Sequence, residues 1–236
     1  MDRKPLALAL LLTSALACSA GPAAEDATGP ESVAPAQQPE ALTRITAGPH
    51  PIATLDLGDL GTIRIELLPE LAPATVANFQ KLAAEAFYDG TSFHRVIPGF
   101  MIQGGDPNSR NPDPRDHGRG GPSQTIPDEF TDYPHTRGTV SMANRGSEDS
   151  AGSQFFIVHA DSRRLDGQYT AFGRVLEGNE VMDAITELEI DRFGRYGPPN
   201  RPYPVSAVLK SVRVASPAQA VVRAPEPRPR YPTAER

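Results

Sequence analysis

One stretch of the chain places an arginine, an aromatic ring and an amide close together on a predicted hairpin. Arg95, Phe100 and Gln103 lie within residues 93–106, which read Phe-His-Arg-Val-Ile-Pro-Gly-Phe-Met-Ile-Gln-Gly-Gly-Asp. Pro98-Gly99 is a turn signal between two short strand-like runs, so the three side chains are expected to meet. Beside an apolar pocket, these groups suit a peptide backbone with an apolar side chain, and they do not form a site for covalent chemistry.

The other chemically capable residues do not form a recognisable site. The five histidines lack metal-ligand spacing, and the single cysteine, Cys18, excludes an internal disulfide and a multi-cysteine metal site. Gly104-Gly105 lacks the strand–helix context and the lysine of a phosphate loop, and there is no Gly-x-Ser-x-Gly elbow of a hydrolase. Asp106, Asp113 and Asp116 are interpreted as solvated loop residues. We therefore predict neither a metal nor a cofactor.

The composition is typical of one folded domain with polar ends. The chain has 236 residues, a formal net charge of −6 and 25 prolines, many of them near the two ends. Since a nucleic-acid-binding protein usually carries a basic patch, nucleic acid is not an expected partner. The middle of the chain is long enough to bury a hydrophobic core.

The N-terminal segment has the pattern of an export signal. Residues 1–17 contain two basic residues, then the apolar run Leu6–Leu16, which is too short to span a bilayer, and they end on small residues. Ala15-Leu16-Ala17-Cys18 resembles a lipobox, with Ala15 where leucine is usual. We expect an exported, periplasmic or cell-envelope protein that a lipid on Cys18 anchors to a bacterial membrane. The alternative is a simply cleaved signal in which Cys18 is incidental.

The composition of two further segments predicts that one folded domain lies between a disordered tether and a flexible tail. Residues 18–49 are rich in Ala, Pro, Gly and Glu and poor in bulky residues, which predicts a disordered tether. Residues 215–236 predict a flexible tail rich in Pro and Arg. The folded domain is predicted over residues 50–214.

The pattern of this middle region predicts many short strands and two helices. Alternating apolar residues predict a β-hairpin over residues 51–67, and helical spacing predicts helices from residue 74 to about 86 and over 180–188. Further strands are predicted at 138–143, 154–158, 171–175 and 205–214. This set of elements predicts a mainly β protein, a closed antiparallel barrel with a helix at each end.

Residues 93–106 resemble the signature of the cyclophilin-type peptidyl-prolyl isomerases. Ser141-Met142-Ala143-Asn144, Gly152–Ile157, and Leu165-Asp166-Gly167 followed by Phe172-Gly173 also match, in the order of the family. The resemblance covers residues 50 to 214. It implies a closed eight-stranded antiparallel barrel capped by two α-helices, and an enzyme that accelerates rotation about X-Pro bonds. With the export signal, this predicts that the enzyme acts on exported proteins and assists their folding.

The resemblance also implies roles for individual residues. Arg95, Phe100 and Gln103 match catalytic positions, and the arginine would contact the substrate proline amide. The positions that match substrate-binding residues are Met101, Ala143, Asn144, Gln154, Phe156, Leu165 and Tyr169. Arg164 stands where many members have tryptophan, and Tyr169 stands where they have a histidine at the pocket rim.

Proline-containing polypeptides are the expected partners of a monomeric protein. The membrane would be contacted only through a lipid on Cys18. A second hypothesis stays open, in which the domain is a non-catalytic proline-peptide-binding or chaperone module tethered to a membrane. Arg164 and Tyr169 favour it, because both depart from the family pattern at the pocket.

Overall fold

A computed structural model of the chain describes residues 50–203 and 205–216. The predicted signal, the predicted tether with Cys18, and residues 217–236 of the predicted tail lie outside the described residues. Within the described ranges, no helix combines the length and the apolar character needed to cross a bilayer.

The described residues form ten strands and two α-helices. The strands are β1 (Ile52–Asp56), β2 (Thr62–Leu67), β3 (Arg95–Ile97), β4 (Met101–Gly104), β5 (Thr139–Met142), β6 (Phe155–Val158), β7 (Ala171–Glu177), β8 (Ile190–Asp191), β9 (Arg201–Pro202) and β10 (Ser211–Ala215). The helices are α1 (Pro73–Ala84) and α2 (Asn179–Glu187). The predicted hairpin and both predicted helices are confirmed, with helix ends that differ by one to two residues.

Eight strands form one antiparallel sheet in the order β10-β1-β2-β7-β5-β6-β4-β3, and β8 pairs with β9 separately. The predicted closed barrel is wrong, because the edge strands β3 and β10 do not pair with each other. The sheet is a curled half-barrel of eight antiparallel strands. The mainly β character and the two helices are confirmed.

The backbone on each side of the seam explains why the barrel stays open. The segments that precede β3 and β10 meet over a few residues only, with an isolated bridge between Ser92 and Val208 and three backbone hydrogen bonds around it. Ala207 has a φ of 54°, so the chain leaves the extended conformation there. The outer edge of β3 is occupied instead, since the N–H of Val96 donates to the carbonyl of Asn200 at 2.8 Å. The segment leading to β9 therefore covers the edge that closure would require.

The main core is centred on Phe79 of α1, which is fully buried. Its ring lies 5.0 Å from that of Tyr88, 5.4 Å from that of Phe172 and 5.6 Å from that of Phe155, measured between centroids. Aromatic pairs at these distances stabilise a core beyond the area that they bury. The helix is thereby held against the strands.

Candidate active site

The predicted turn in residues 93–106 is present between β3 and β4. The N–H of Phe100 donates to the carbonyl of Ile97 at 3.0 Å, which closes a four-residue turn with Pro98 second and Gly99 third. Gly99 has a φ of 75°, which the third position of a type II turn requires and which glycine adopts without steric cost. The residues of the turn itself are therefore sufficient to reverse the direction of the chain here.

Alternation along the strands divides the side chains between the core and a cleft. In β4, Ile102 belongs to the main core, whereas Met101 and Gln103 point to the opposite face. In β6, Phe155 lies in the main core and Phe156 lies on the cleft side. A second apolar cluster results, made of Met101, Phe156, Val158 and Leu165, with Ile97, Phe100, Ala143 and Tyr169 packed against it.

This second cluster forms the wall of a cleft of about 220 Å³. Nine of the ten predicted site residues in the domain line it: Arg95, Phe100, Met101, Gln103, Ala143, Asn144, Phe156, Leu165 and Tyr169. The tenth, Gln154, lines an adjoining cavity of about 300 Å³, which shares Gln103, Ala143 and Asn144 with the cleft. The predicted lipid site, Cys18, lies outside the described residues.

A chain of amide hydrogen bonds orients the polar side of the cleft. Nη1 of Arg95 donates to Oε1 of Gln103 at 3.2 Å. The amide nitrogen of Gln103 donates to Oε1 of Gln154 at 2.9 Å, and Nε2 of Gln154 donates to the carbonyl of Gly120 at 2.9 Å. Each amide is used as both donor and acceptor, so its orientation is determined.

The guanidinium of Arg95 forms no ion pair with a carboxylate of the described residues. Its surroundings lower the pKa of Arg95 by partial desolvation, and the proximity of Tyr169 raises it. The group stays protonated at neutral pH, because its ordinary pKa is far higher. Four of its five N–H donors are not used by Gln103, so a charged donor faces the cleft next to an apolar wall.

A buried histidine supports the aromatic wall. The ring of His135 stacks on Phe156 with centroids 6.1 Å apart, and Tyr169 meets Phe156 edge to face at 5.4 Å. Nδ1 of His135 lies 3.0 Å from Asp166 and Nε2 lies 2.8 Å from the hydroxyl of Ser141. Burial lowers the pKa of His135, although Asp166 opposes that shift. The sequence carries no signal for this role, since His135 contacts residues 6 to 31 positions away.

One residue differs in placement from its interpretation in the sequence, and a second occupies a position that the sequence analysis did not predict. Asp106 is fully buried, so its interpretation as a solvated residue is wrong. Its carboxylate accepts the N–H of Asn108 at 2.8 Å and that of Gly118, and thereby holds the loop that borders the adjoining cavity. Aspartate directly before a proline is the pattern of a helix N-cap, which was the available signal. The second residue, Arg164, lies with its guanidinium carbon 4.6 Å from the ring centroid of Phe100.

Comparisons with known proteins identify the family and the relatives of the chain. The sequence profile of the cyclophilin type peptidyl-prolyl cis-trans isomerase/CLD family matches residues 52–211. Peptidyl-prolyl cis-trans isomerase B of Bacillus subtilis is 52% identical over 136 residues, which cover 57% of this chain and 90% of that relative. The isomerase of Synechococcus elongatus is 48% identical over 128 residues, covering 54% and 82%.

A solved structure is similar over the whole domain. It is the cyclophilin type isomerase of Cryptosporidium parvum in the presence of the dipeptide Ala-Pro. It aligns with a TM-score of 0.60 at 29% identity, and the match covers 70% of this chain and 99% of that one.

Proposed function

The chain belongs to the cyclophilin-type peptidyl-prolyl cis-trans isomerases, and we propose that Arg95 and the apolar cleft wall carry out this activity on exported polypeptides. The reaction is rotation about the X-Pro peptide bond, without making or breaking a covalent bond. Resonance opposes the rotation by about 18–20 kcal/mol. The two isomers differ little in energy, yet they exchange only over tens to hundreds of seconds without a catalyst.

A catalyst of this rotation must bind the twisted imide better than either planar form. Twisting removes resonance, so the proline nitrogen becomes more basic and accepts a hydrogen bond. Arg95 provides the charged donor for that nitrogen or for the neighbouring carbonyl. The single observation that carries the proposal is the guanidinium of Arg95, which has no carboxylate partner among the described residues and lines a cleft of about 220 Å³ beside its apolar wall.

The remaining residues hold the substrate on both sides of the rotating bond. Phe100, Met101, Phe156 and Leu165 would grip the proline ring, because together they form the apolar wall. Gln103, Asn144 and Gln154 would bind the flanking peptide backbone, while Ala143 and Tyr169 complete the wall. That the Cryptosporidium relative was solved with Ala-Pro supports proline-containing peptides as ligands.

The expected rate increase requires more than one interaction with the transition state. A rate increase of about five powers of ten needs about 7 kcal/mol of preferential transition-state binding. One charge-assisted hydrogen bond contributes only about 1.5–3 kcal/mol. Orientation of the peptide and exclusion of water by the apolar wall must supply the rest.

Measurement of exchange in a short X-Pro peptide by NMR tests the roles of these residues. The wild-type chain is expected to accelerate cis–trans exchange, and Arg95→Ala is expected to abolish most of the acceleration. Peak shifts without faster exchange in the wild type would contradict catalysis and would favour the non-catalytic binding module instead.

We also propose that the protein is exported, carries a lipid on Cys18 and acts as a monomer. The pattern of residues 1–17 and the position of the only cysteine support export and anchoring. Mass spectrometry of the N-terminal peptide from membrane extracts tests the lipid, with Cys18→Ser as the control that should release the protein. An unacylated mature terminus would contradict the anchor, and a dimer in light scattering would contradict the monomer.

A further inference from the structure

Arg164 lies against Phe100, a residue that lines the cleft, and carries a charge that no described residue neutralises. Its guanidinium carbon is 4.6 Å from the ring centroid of Phe100, which lines the cleft. Its side chain forms no hydrogen bond or ion pair within residues 50–203 and 205–216. The adjacent Arg163 differs, because its Nε donates to Asp166 at 2.5 Å. The two neighbouring arginines therefore differ: Arg163 is paired with Asp166, whereas the guanidinium of Arg164 is available to bind a ligand.

The other charges around the cleft are also positive. Among the described residues, Arg95 is the only charged one that lines the cleft, and Arg145 is the only charged one that lines the adjoining cavity. No carboxylate lines either space in the described part of the chain. This local excess contrasts with the formal net charge of −6 of the whole chain, so it does not reflect a generally basic protein.

The contact with Phe100 prepares Arg164 for an anion. A guanidinium over an aromatic face is attracted by the ring, and the contact restricts a side chain that is otherwise freely rotating. The N–H donors around the guanidinium edge stay available, and their fork matches the two oxygens of a carboxylate. Phe100 belongs to the proposed proline-binding wall, so the anion would lie next to the bound proline.

We propose that Arg164 gives the enzyme a preference for substrates in which aspartate or glutamate is next to the proline. This inference rests on the proposed function of the same cleft. The preference is expected on one side of the proline only. The adjoining cavity shares Gln103, Ala143 and Asn144 with the cleft, whereas Phe100 lines the cleft alone. The peptide thus has one flank toward that cavity and the other toward Arg164.

The test compares peptides with both ends blocked, which have Ala, Glu or Lys directly before or directly after one proline and no other charged residue. NMR exchange gives kcat/KM for each peptide with the full chain. At low salt, glutamate on one side is expected to raise kcat/KM by about fivefold over alanine, and the preference should shrink at high salt. Lysine at the same place is expected to lower it.

Substitutions of single arginines identify the residue that is responsible for the acidic preference. Arg164→Gln should bring the Glu-to-Ala ratio to about one, Arg164→Glu should reverse it, and Arg164→Lys should keep part of it. Arg192→Gln is the matched control, because it removes one exposed arginine that lies away from the cleft. Arg145→Gln tests whether the charge beside the other cavity is responsible instead.

The outcomes separate this inference from the proposed function. Catalysis of all peptides with no acidic preference, or a preference that persists in Arg164→Gln, overturns the role of Arg164 and leaves the isomerase assignment intact. A loss of preference in Arg145→Gln alone also overturns it. Absence of catalysis on every peptide, with binding retained, overturns both.

Discussion

Arg95 and Gln103 are directly opposite each other in the β3–β4 hairpin, and Nη1 of the arginine donates to Oε1 of the amide at 3.2 Å. This cross-strand pair joins the charged donor of the site to the amide chain that continues through Gln154. The position of the guanidinium therefore depends on the register of two very short strands. That register in turn depends on the local turn at Pro98-Gly99.

Removal of the guanidinium should affect the rate far more than the stability. Arg95→Ala is expected to lower kcat/KM by about two to three powers of ten, as the loss of one preorganised donor does elsewhere. The free energy of unfolding should change by less than about 1 kcal/mol, because Arg95 is exposed and makes a single side-chain hydrogen bond. NMR exchange and urea unfolding measure the two quantities. Near-normal turnover would contradict the role of Arg95, and Arg192→Ala serves as the control.

The amide chain should contribute to binding and act as a unit. Gln154→Ala removes the acceptor for Gln103 and is expected to raise KM by about threefold to tenfold, the equivalent of one neutral hydrogen bond. The double substitution Gln103→Ala/Gln154→Ala should lose less binding free energy than the sum of the losses in the two single variants, because the pair shares one hydrogen bond. Steady-state kinetics measure these effects, and strictly additive losses would show that the two amides act independently.

Tyr169 should act through its ring more than through its hydroxyl. The ring meets Phe156 edge to face at 5.4 Å, and this contact survives in Tyr169→Phe. We expect Tyr169→Phe to retain kcat/KM within about threefold, whereas Tyr169→Ala opens the wall and lowers it by about tenfold or more. If the phenylalanine variant were as impaired as the alanine variant, the hydroxyl would be the essential group.

Two glycines with similar backbones should tolerate alanine very differently. Gly105 has a φ of 81°, and a Cβ there would lie 2.4 Å from the carbonyl oxygen of Ser153. Gly99 has a φ of 75°, but a Cβ there would meet nothing within 4 Å. Gly105→Ala is expected to lower the free energy of unfolding by about 3 kcal/mol or more, and Gly99→Ala by about 1 kcal/mol. If the two variants lost the same free energy in urea unfolding, backbone strain alone would account for the cost of alanine, without the contact with Ser153.

Buried His94 should make the fold sensitive to acid. Burial and then the charge of Arg201 lower its pKa to about 3. Between the unfolded value near 6.5 and this folded value, only the unfolded chain binds the proton, so stability falls as the pH falls. One such group contributes about 1.4 kcal/mol per pH unit in that window.

His94→Phe should therefore make the free energy of unfolding less dependent on pH under acidic conditions. The slope of unfolding free energy against pH, measured by urea unfolding between about pH 4 and 6, is expected to decrease by about 1.4 kcal/mol per pH unit. The slope should not vanish, because burial also lowers the pKa of His117 and His135. An unchanged slope would show that His94 is protonated in the folded protein at these pH values.

Local patterns in the sequence were sufficient for most of the site. The turn at Pro98-Gly99 sets the β3–β4 hairpin, and alternation in that hairpin places Arg95 and Gln103 on one face. The ordered family motifs supplied Asn144, Phe156 and Leu165, and the structure brings all of these to one cleft. These features depend on neighbours only a few residues apart, whose preferences are present in the chain before it folds.

Only the tertiary structure decided what covers each face and edge. Alternation alone does not show which face of β6 is the core, so Phe155 and Phe156 separate only after the helices and strands have packed. The open seam depends on Asn200 reaching Val96, and the positive charge beside the cleft depends on Arg164 reaching Phe100, 64 positions earlier in the chain. Contacts between residues this far apart leave no periodic signal, because they arise from the folded arrangement of whole elements.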